Sequence, residues 1–137
     1  MDHDQQLAAG AAILATRLAP LGFTFAVTSS GDSAGGPFAA GAFTRGRQAL
    51  SFSVRHGALG LVTYHLGDQE WTHTEMMRAV GRPALYPGFA DGDRLGGFRR
   101  LLGDLEACDA FFTTDGTEIA GAIRALPPKP KGFRGLG

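Results

Sequence analysis

The sequence predicts an α+β protein: an N-terminal helix, a four-stranded antiparallel meander, and three C-terminal helices packed on one sheet face as a two-layer sandwich. Three features of the hydrophobic pattern predict this class. Apolar residues first recur at helical spacing, then alternate with polar residues between positions 23 and 66, and return to helical spacing from position 75. Because a meander can bury one face against helices and leave the other wet, we expect an accessible polar face.

The first helix is predicted over residues 4–19. Its apolar stripe consists of Leu7, Ile13, Leu14 and Leu18. Asp2 and Asp4 lie at the end where the helix dipole favours negative charge. Pro20 and Gly22 end the helix, since neither residue continues helical backbone favourably.

The four predicted strands cover residues 23–28, 38–45, 48–56 and 61–66. Residues 31–37 and 57–60 are predicted loops. A tight turn with Gly46 at its first central position fixes the register of the second and third strands. The predicted pairs are Phe43 with Leu50, Gly41 with Phe52, and Ala39 with Val54. The Phe52 ring is then expected to cover the bare backbone at Gly41.

Alternation divides the predicted sheet into an apolar face and a polar face. The apolar face carries Leu50, Phe52, Val54, Val62, Tyr64 and Leu66. The polar face carries Ser51, Ser53, Arg55, Thr63 and His65.

Three helices are predicted after the sheet, over residues 75–80, from Asp91 or Asp93 to about 112, and over 117–126. Thr72 and Glu75 have the spacing of a capping box before the first of them. We therefore expect a single domain over residues 1–126. The Pro/Gly-rich basic segment 127–137 is expected to be a mobile tail.

Charge argues against a nucleic-acid-binding protein. The chain has 13 basic and 13 acidic residues, and residues 127–137 contain three of the bases and no acid. The body is therefore mildly acidic and lacks the basic stripe of such proteins. Its single cysteine, Cys108, excludes an internal disulfide and fits a reducing compartment. The apolar run at 7–14 is too short to span a bilayer, so we expect a cytoplasmic protein without membrane contact.

Ser33 lies in the segment Gly31-Asp32-Ser33-Ala34-Gly35, which resembles the nucleophile elbow of α/β-hydrolases. An elbow requires a helix directly after the serine. Here a predicted strand follows instead. A trypsin-like arrangement places its His and Asp before the serine, and the only His upstream of Ser33 is His3, near the N-terminus. We interpret the segment as a surface loop, because Gly, Asp and Ser are common in turns.

The residues most suited to holding a small ligand or an anion are Arg55, His65, Tyr64 and Ser53. A cation beside hydroxyl groups can bind a carboxylate or another anion. The alternative is that Arg55 lies flat over the sheet with its charge in water. His65, His73, Asp68 and Glu70 match no standard metal-ligand spacing, and Asp68 to Glu70 is read as a solvated turn, so we expect neither metal nor cofactor.

Three aromatic residues, Trp71, Tyr86 and Phe89, are candidates for contacting a partner protein, although each can instead anchor the core. The absence of a nucleophile with a base, of metal spacing and of a nucleotide loop favours a small non-enzymatic binding module. Bacterial immunity proteins and secretion chaperones offer an analogy from fold alone. The alternative is a small-molecule or anion-binding enzyme around Arg55 and His65. An edge strand, 23–28 or 61–66, would allow a homodimer.

Overall fold

The computed structural model describes residues 2–33, 36–82 and 93–126. The helices are α1 (His3–Leu18), α2 (His73–Ala79), α3 (Gly96–Ala107), α4 (Asp109–Thr113) and α5 (Thr117–Arg124), with a 3₁₀ turn at Ala19–Leu21. The strands are β1 (Thr24–Ser33), β2 (Gly36–Arg45), β3 (Gln48–Arg55), β4 (Ala58–Leu66) and β5 (Gln69–Thr72). The predicted tail 127–137 and the aromatic residues Tyr86 and Phe89 lie outside the described residues.

The α+β class with an antiparallel sheet is confirmed, but the prediction of four strands is wrong. The described sheet has five strands in the order β1-β2-β3-β4-β5. The additional strand is β5. Its first two residues, Gln69 and Glu70, fall within the segment predicted as a solvated turn. The turn is shorter, with Gly67 at φ 64°, and Trp71 already pairs with Tyr64.

The loops between strands are also shorter than predicted. β1 continues to Ser33 and β2 starts at Gly36, so most of the predicted loop 31–37 is paired strand. His56 and Gly57 form a two-residue connection with φ values of 54° and 75°, so β4 begins at Ala58. Two consecutive residues with positive φ are what the tightest hairpin turns require.

The predicted register of β2 and β3 is confirmed, including the pairs Phe43↔Leu50 and Gly41↔Phe52. The ring nearest to Gly41 is that of Phe25 and not that of Phe52. A Cβ atom built on Gly41 would lie 2.6 Å from ring atoms of Phe25, so the ring closest to this glycine comes from β1. Phe25 in turn stacks on Phe52 with ring centroids 6.0 Å apart.

The core lies between the apolar sheet face and the helices. The sheet contributes Phe43, Leu50, Phe52, Val54, Tyr64 and Trp71, and the helices contribute Leu14, Met77, Phe98, Leu105, Phe111 and Ile119. The predicted long helix to residue 112 is two helices, because the backbone leaves the helical region at Cys108 (φ −108°, ψ 32°). No Gly or Pro marks this break in the sequence. Among the described residues, no helix is long and apolar enough to cross a membrane.

Helices α1 and α3 approach each other closely at Gly10. A Cβ atom there would lie 2.3 Å from the tip of the Phe98 ring, which is fully buried and also packs edge-on against Phe52. Gly103 lies in α3, and a Cβ atom built there would have nothing within 4 Å. The two glycines therefore separate the steric effect of a methyl group from its effect on helix propensity.

We expect Gly10→Ala to lower the free energy of unfolding by about 1–2 kcal/mol, since overpacking a tight core outweighs the gain in helix propensity. Gly103→Ala is the matched control and should raise it by up to about 1 kcal/mol. Urea unfolding followed by circular dichroism measures both. Equal effects of the two substitutions would contradict the close α1–α3 packing.

Candidate functional site

The candidate site is the polar face of the sheet, which carries Ser51, Ser53, Arg55, Thr63 and His65. The pairs Ser51↔Thr63 and Ala49↔His65 place these side chains on one face across β3 and β4. Tyr64, the fourth predicted ligand residue, lies between Thr63 and His65 and belongs to the opposite face, where it is fully buried.

Arg55 and His65 lie at opposite ends of the polar face. His65 is paired with Ala49, and Ala49 is six positions before Arg55 on the same strand. Six residues of extended strand span about 20 Å. The structure therefore does not bring the two predicted ligand residues to one point.

The Arg55 side chain lies against its own end of the sheet. Its guanidinium stands 5.0 Å from the centroid of the Phe38 ring, and Nη1 donates to the Gly36 carbonyl at 3.3 Å. Ser53, two positions earlier on the same face, is only 9% exposed. At this end of the face the Arg55 charge is therefore held by a cation–π contact with Phe38 inside the protein.

His65 connects three strands at the other end. Its Nε2 lies 2.8 Å from Ser51 Oγ on β3, and its Nδ1 lies 3.6 Å from Glu70 Oε2 on β5. Ser51 is not among the predicted ligand residues, although alternation puts it on the polar face. Its contact with His65 follows from the register of β3 and β4, and the contact of His65 with Glu70 requires the fifth strand, which the sequence does not predict.

Small side chains cover most of the area between these two ends. The residues in this central region are Ala26, Ala40, Ala42, Ala49, Ser51, Ser53, Gly60 and Thr63. None extends beyond its β or γ atoms, and Ala42 and Ser53 are only 8% and 9% exposed.

Leu61 departs from this pattern. Opposite Phe52 the β3–β4 register shifts, and β4 supplies one residue more than β3 between Ser51 and Ser53. Leu61 lies in this bulge with φ 53°, and it is 79% exposed. Left-handed backbone is unfavourable for a leucine, and the exposed side chain gains nothing from the core.

Tyr64 takes part in a hydrogen-bonded chain on the buried face. Its hydroxyl lies 2.8 Å from His73 Nδ1, and His73 Nε2 lies 2.9 Å from Asp104 Oδ2. A carboxylate only accepts hydrogen bonds, so His73 donates one from Nε2 to Asp104. Its Nδ1 then accepts a hydrogen bond from the Tyr64 hydroxyl, which keeps its proton. Arg82 approaches the second oxygen of Asp104 at 3.3 Å. The chain ties β4, α2 and α3 together.

Burial controls the acid–base properties of this chain. It raises the pKa of Tyr64 well above its usual value, and it lowers the pKa of His73 although Asp104 acts in the opposite direction. The neighbouring Cys108 thiol is fully buried, and burial raises its pKa to about 12. These groups are neutral at pH 7, and no reactive thiolate is present at Cys108.

Two further sequence candidates within the described residues are Trp71 and Ser33. Trp71 is 7% exposed and packs in the core beside Tyr64. Ser33 ends β1, and a strand rather than a helix follows at Gly36, so the backbone of a hydrolase elbow is not formed there. Within residues 2–33, 36–82 and 93–126, no group of three or more His, Cys, Asp or Glu side chains could hold a metal ion.

No protein-family model, curated protein or solved structure matches this chain.

We expect the free energy of unfolding to fall as the pH drops below about 6.5, by up to about 1.4 kcal/mol per pH unit. The pKa of His73 is lower in the folded protein than in the unfolded chain, so acid favours the unfolded state. The stabilisation is complete above the unfolded pKa and is lost as the pH falls toward the folded one. Urea unfolding at pH 7.5, 6.5 and 5.5 measures this dependence.

His73→Gln should flatten that pH dependence, because the titrating group is removed. His56→Asn is the control, since it changes a histidine in the β3–β4 turn and leaves the Tyr64–His73–Asp104 chain intact. An undiminished slope in His73→Gln would show that another group produces it.

Proposed function

We propose that this protein is a small binding module that holds a partner protein on the polar face of its sheet, with Leu61 as the apolar anchor. The observation that carries the proposal is Leu61 itself, a large apolar side chain that is both 79% exposed and held at positive φ. Strained residues are concentrated at functional positions.

Leu61 is not the residue that folding alone would favour at this position. Gly or Asn tolerates left-handed backbone better than Leu, and a polar side chain suits an exposed position. Neither the backbone nor the core gains from a leucine at this position. A contact with a partner supplies the missing benefit, because burying such a side chain contributes about 1.5–3 kcal/mol.

The shape of the polar face supports the same proposal. Five strands spaced about 4.8 Å apart and roughly eight residues long give a surface on the order of 500 Å². That area, with its rim, approaches the roughly 800 Å² that each partner contributes to a standard protein interface. Because the Ala, Ser, Gly and Thr side chains of this face are short, another protein surface can approach the sheet closely, whereas a small-molecule site is usually a concave pocket.

The alternative enzyme, with a ligand held jointly by Arg55 and His65, has less support. The two residues are about 20 Å apart along the strand, more than a small anion can bridge. A cytoplasmic location and a homodimer through the edge strand β1 are further parts of the proposal that remain to be measured. Resemblance to immunity proteins or chaperones is an analogy from the α+β architecture.

Site-specific photo-crosslinking tests the proposal. A photoreactive amino acid at Ala40, which lies two strands from Gly60 on the polar face, should give a discrete protein adduct in cells of the source organism. The same group at Ala12, on the exposed side of α1, is the control and should not give that adduct. An adduct with a second copy of the chain identifies the partner as itself. The absence of an adduct from position 40, or identical adducts from both positions, would argue against the polar face.

Leu61→Asn separates binding from folding. We expect it to leave the free energy of unfolding unchanged or raise it by up to about 1 kcal/mol, since Asn accepts left-handed backbone. The adduct from position 40 should be lost, and the affinity for the identified partner should fall at least about tenfold. A destabilised variant that keeps the adduct would mean that Leu61 serves the fold.

A further inference from the structure

We propose that Ser51 is a nucleophile activated by His65, and that it accepts an acyl group from activated carboxylic esters. This inference goes beyond the binding function and is independent of it, because it depends on three side chains and needs no partner. The geometry that carries it is the sequence of contacts from Ser51 Oγ to His65 Nε2 and from His65 Nδ1 to Glu70.

The Ser51–His65 hydrogen bond has the length that a nucleophile and its base require. The 2.8 Å between Ser51 Oγ and His65 Nε2 lies within the 2.6–3.2 Å range of such pairs. Among the described residues, Ser51 is the hydrogen-bond partner of His65 at Nε2. The imidazole is therefore placed to receive the Ser51 proton.

The Glu70 carboxylate lies on the Nδ1 side of the imidazole. It lies directly opposite His65 in the β4–β5 pairing, and its Oε2 is 3.6 Å from Nδ1. A carboxylate only accepts, so it favours the tautomer with the proton on Nδ1 and leaves Nε2 free to act as base.

The site is open to small reagents. The His65 side chain is 29% exposed and that of Glu70 is 69% exposed, and the neighbours on this face are short. These exposures contrast with the buried Tyr64–His73–Asp104 chain, where the tyrosine hydroxyl cannot meet a substrate.

The reaction is an ordinary acyl transfer. Ser51 Oγ attacks the ester carbonyl carbon while its proton moves to His65 Nε2. The bond from that carbon to the leaving oxygen breaks, and the leaving alcohol takes the proton from His65. Ser51 then carries an ester, and water releases the acyl group by the same steps in reverse roles.

The surrounding backbone limits which esters react. Ser51 lies inside β3, between β2 and β4, where neighbouring backbone N–H groups belong to the sheet and are not directed at an oxyanion. Since oxyanion stabilisation is a large part of acyl-transfer catalysis, we expect reaction with aryl esters that have good leaving groups and slow hydrolysis of the acyl-serine.

The test uses p-nitrophenyl acetate and the full chain. We expect a burst of one equivalent of p-nitrophenolate, with the acetyl group on Ser51 by peptide mass spectrometry. Ser51→Ala should abolish the burst, because no hydroxyl remains to take the acyl group. His65→Gln should slow the burst about 100-fold, the scale of general-base catalysis, and Glu70→Gln about fivefold. Ser51→Cys should restore acylation, now on the thiol. Ser33→Ala and Ser30→Ala are matched controls that should leave the burst unchanged.

Three outcomes would overturn the proposal. Full reactivity in Ser51→Ala would mean that the imidazole itself attacks the ester. An unchanged rate in His65→Gln would mean that Ser51 is not activated. Acetylation of Ser33 or Ser30 in place of Ser51 would locate the reactive hydroxyl elsewhere. Circular dichroism confirms that each variant is folded, and the exposed Glu70→Gln variant tests the geometry with little risk to the core.

Discussion

The hydrogen bond from the Tyr64 hydroxyl to His73 holds the sheet and the helices in one arrangement. The Tyr64 ring lies in the core, and the Phe111 ring packs edge-on against it with the two ring centroids 5.7 Å apart. Its hydroxyl, buried at the same place, needs a partner, and an unpaired polar group there would cost about 1–3 kcal/mol. His73 supplies the partner and Asp104 orients His73, so the positions of α2 and α3 are set relative to β4.

The two faces of β4 show how burial changes the chemistry of similar side chains. Tyr64 and His65 are neighbours in sequence. The Tyr64 hydroxyl contacts the His73 imidazole and the Asp104 carboxylate beyond it, and the His65 imidazole lies between the Ser51 hydroxyl and the Glu70 carboxylate. On the buried face, desolvation keeps His73 neutral and closes the hydroxyl to other molecules. On the polar face, the same three kinds of group remain in contact with solvent. The alternation of a strand thus assigns one chain to the fold and leaves the other available for reaction.

Much of the fold could be predicted because hydrophobic alternation is a direct physical signal. Phe43 and Leu50 pair as expected, since the turn at Gly46 and the apolar pattern both specify the register. β5 was not predicted because it is short and its charged Glu70 resembles a turn residue. The helix break at Cys108 was not predicted because no Gly or Pro marks it. The phenylalanines that follow the break, Phe111 and Phe112, are both fully buried.

The candidate site was predictable as a face and not as a set of contacts. Alternation alone put Ser51, Arg55 and His65 on one side of the sheet. Their distances depend on where each strand begins, and the hairpin at His56–Gly57 is shorter than its glycine-rich sequence indicates. The bulge at Leu61 has no sequence signature, because leucine is a poor choice for left-handed backbone.

Because Cys108 is fully buried, its thiol can report on transient opening of the core. The chain has one cysteine, and its side chain is fully enclosed between Tyr64 and the backbone of α3. A maleimide or disulfide reagent reaches that sulfur only while the surrounding layer is separated. The speed of its alkylation therefore records how often the interior opens, and a cysteine added at the surface would be labelled selectively against this silent background.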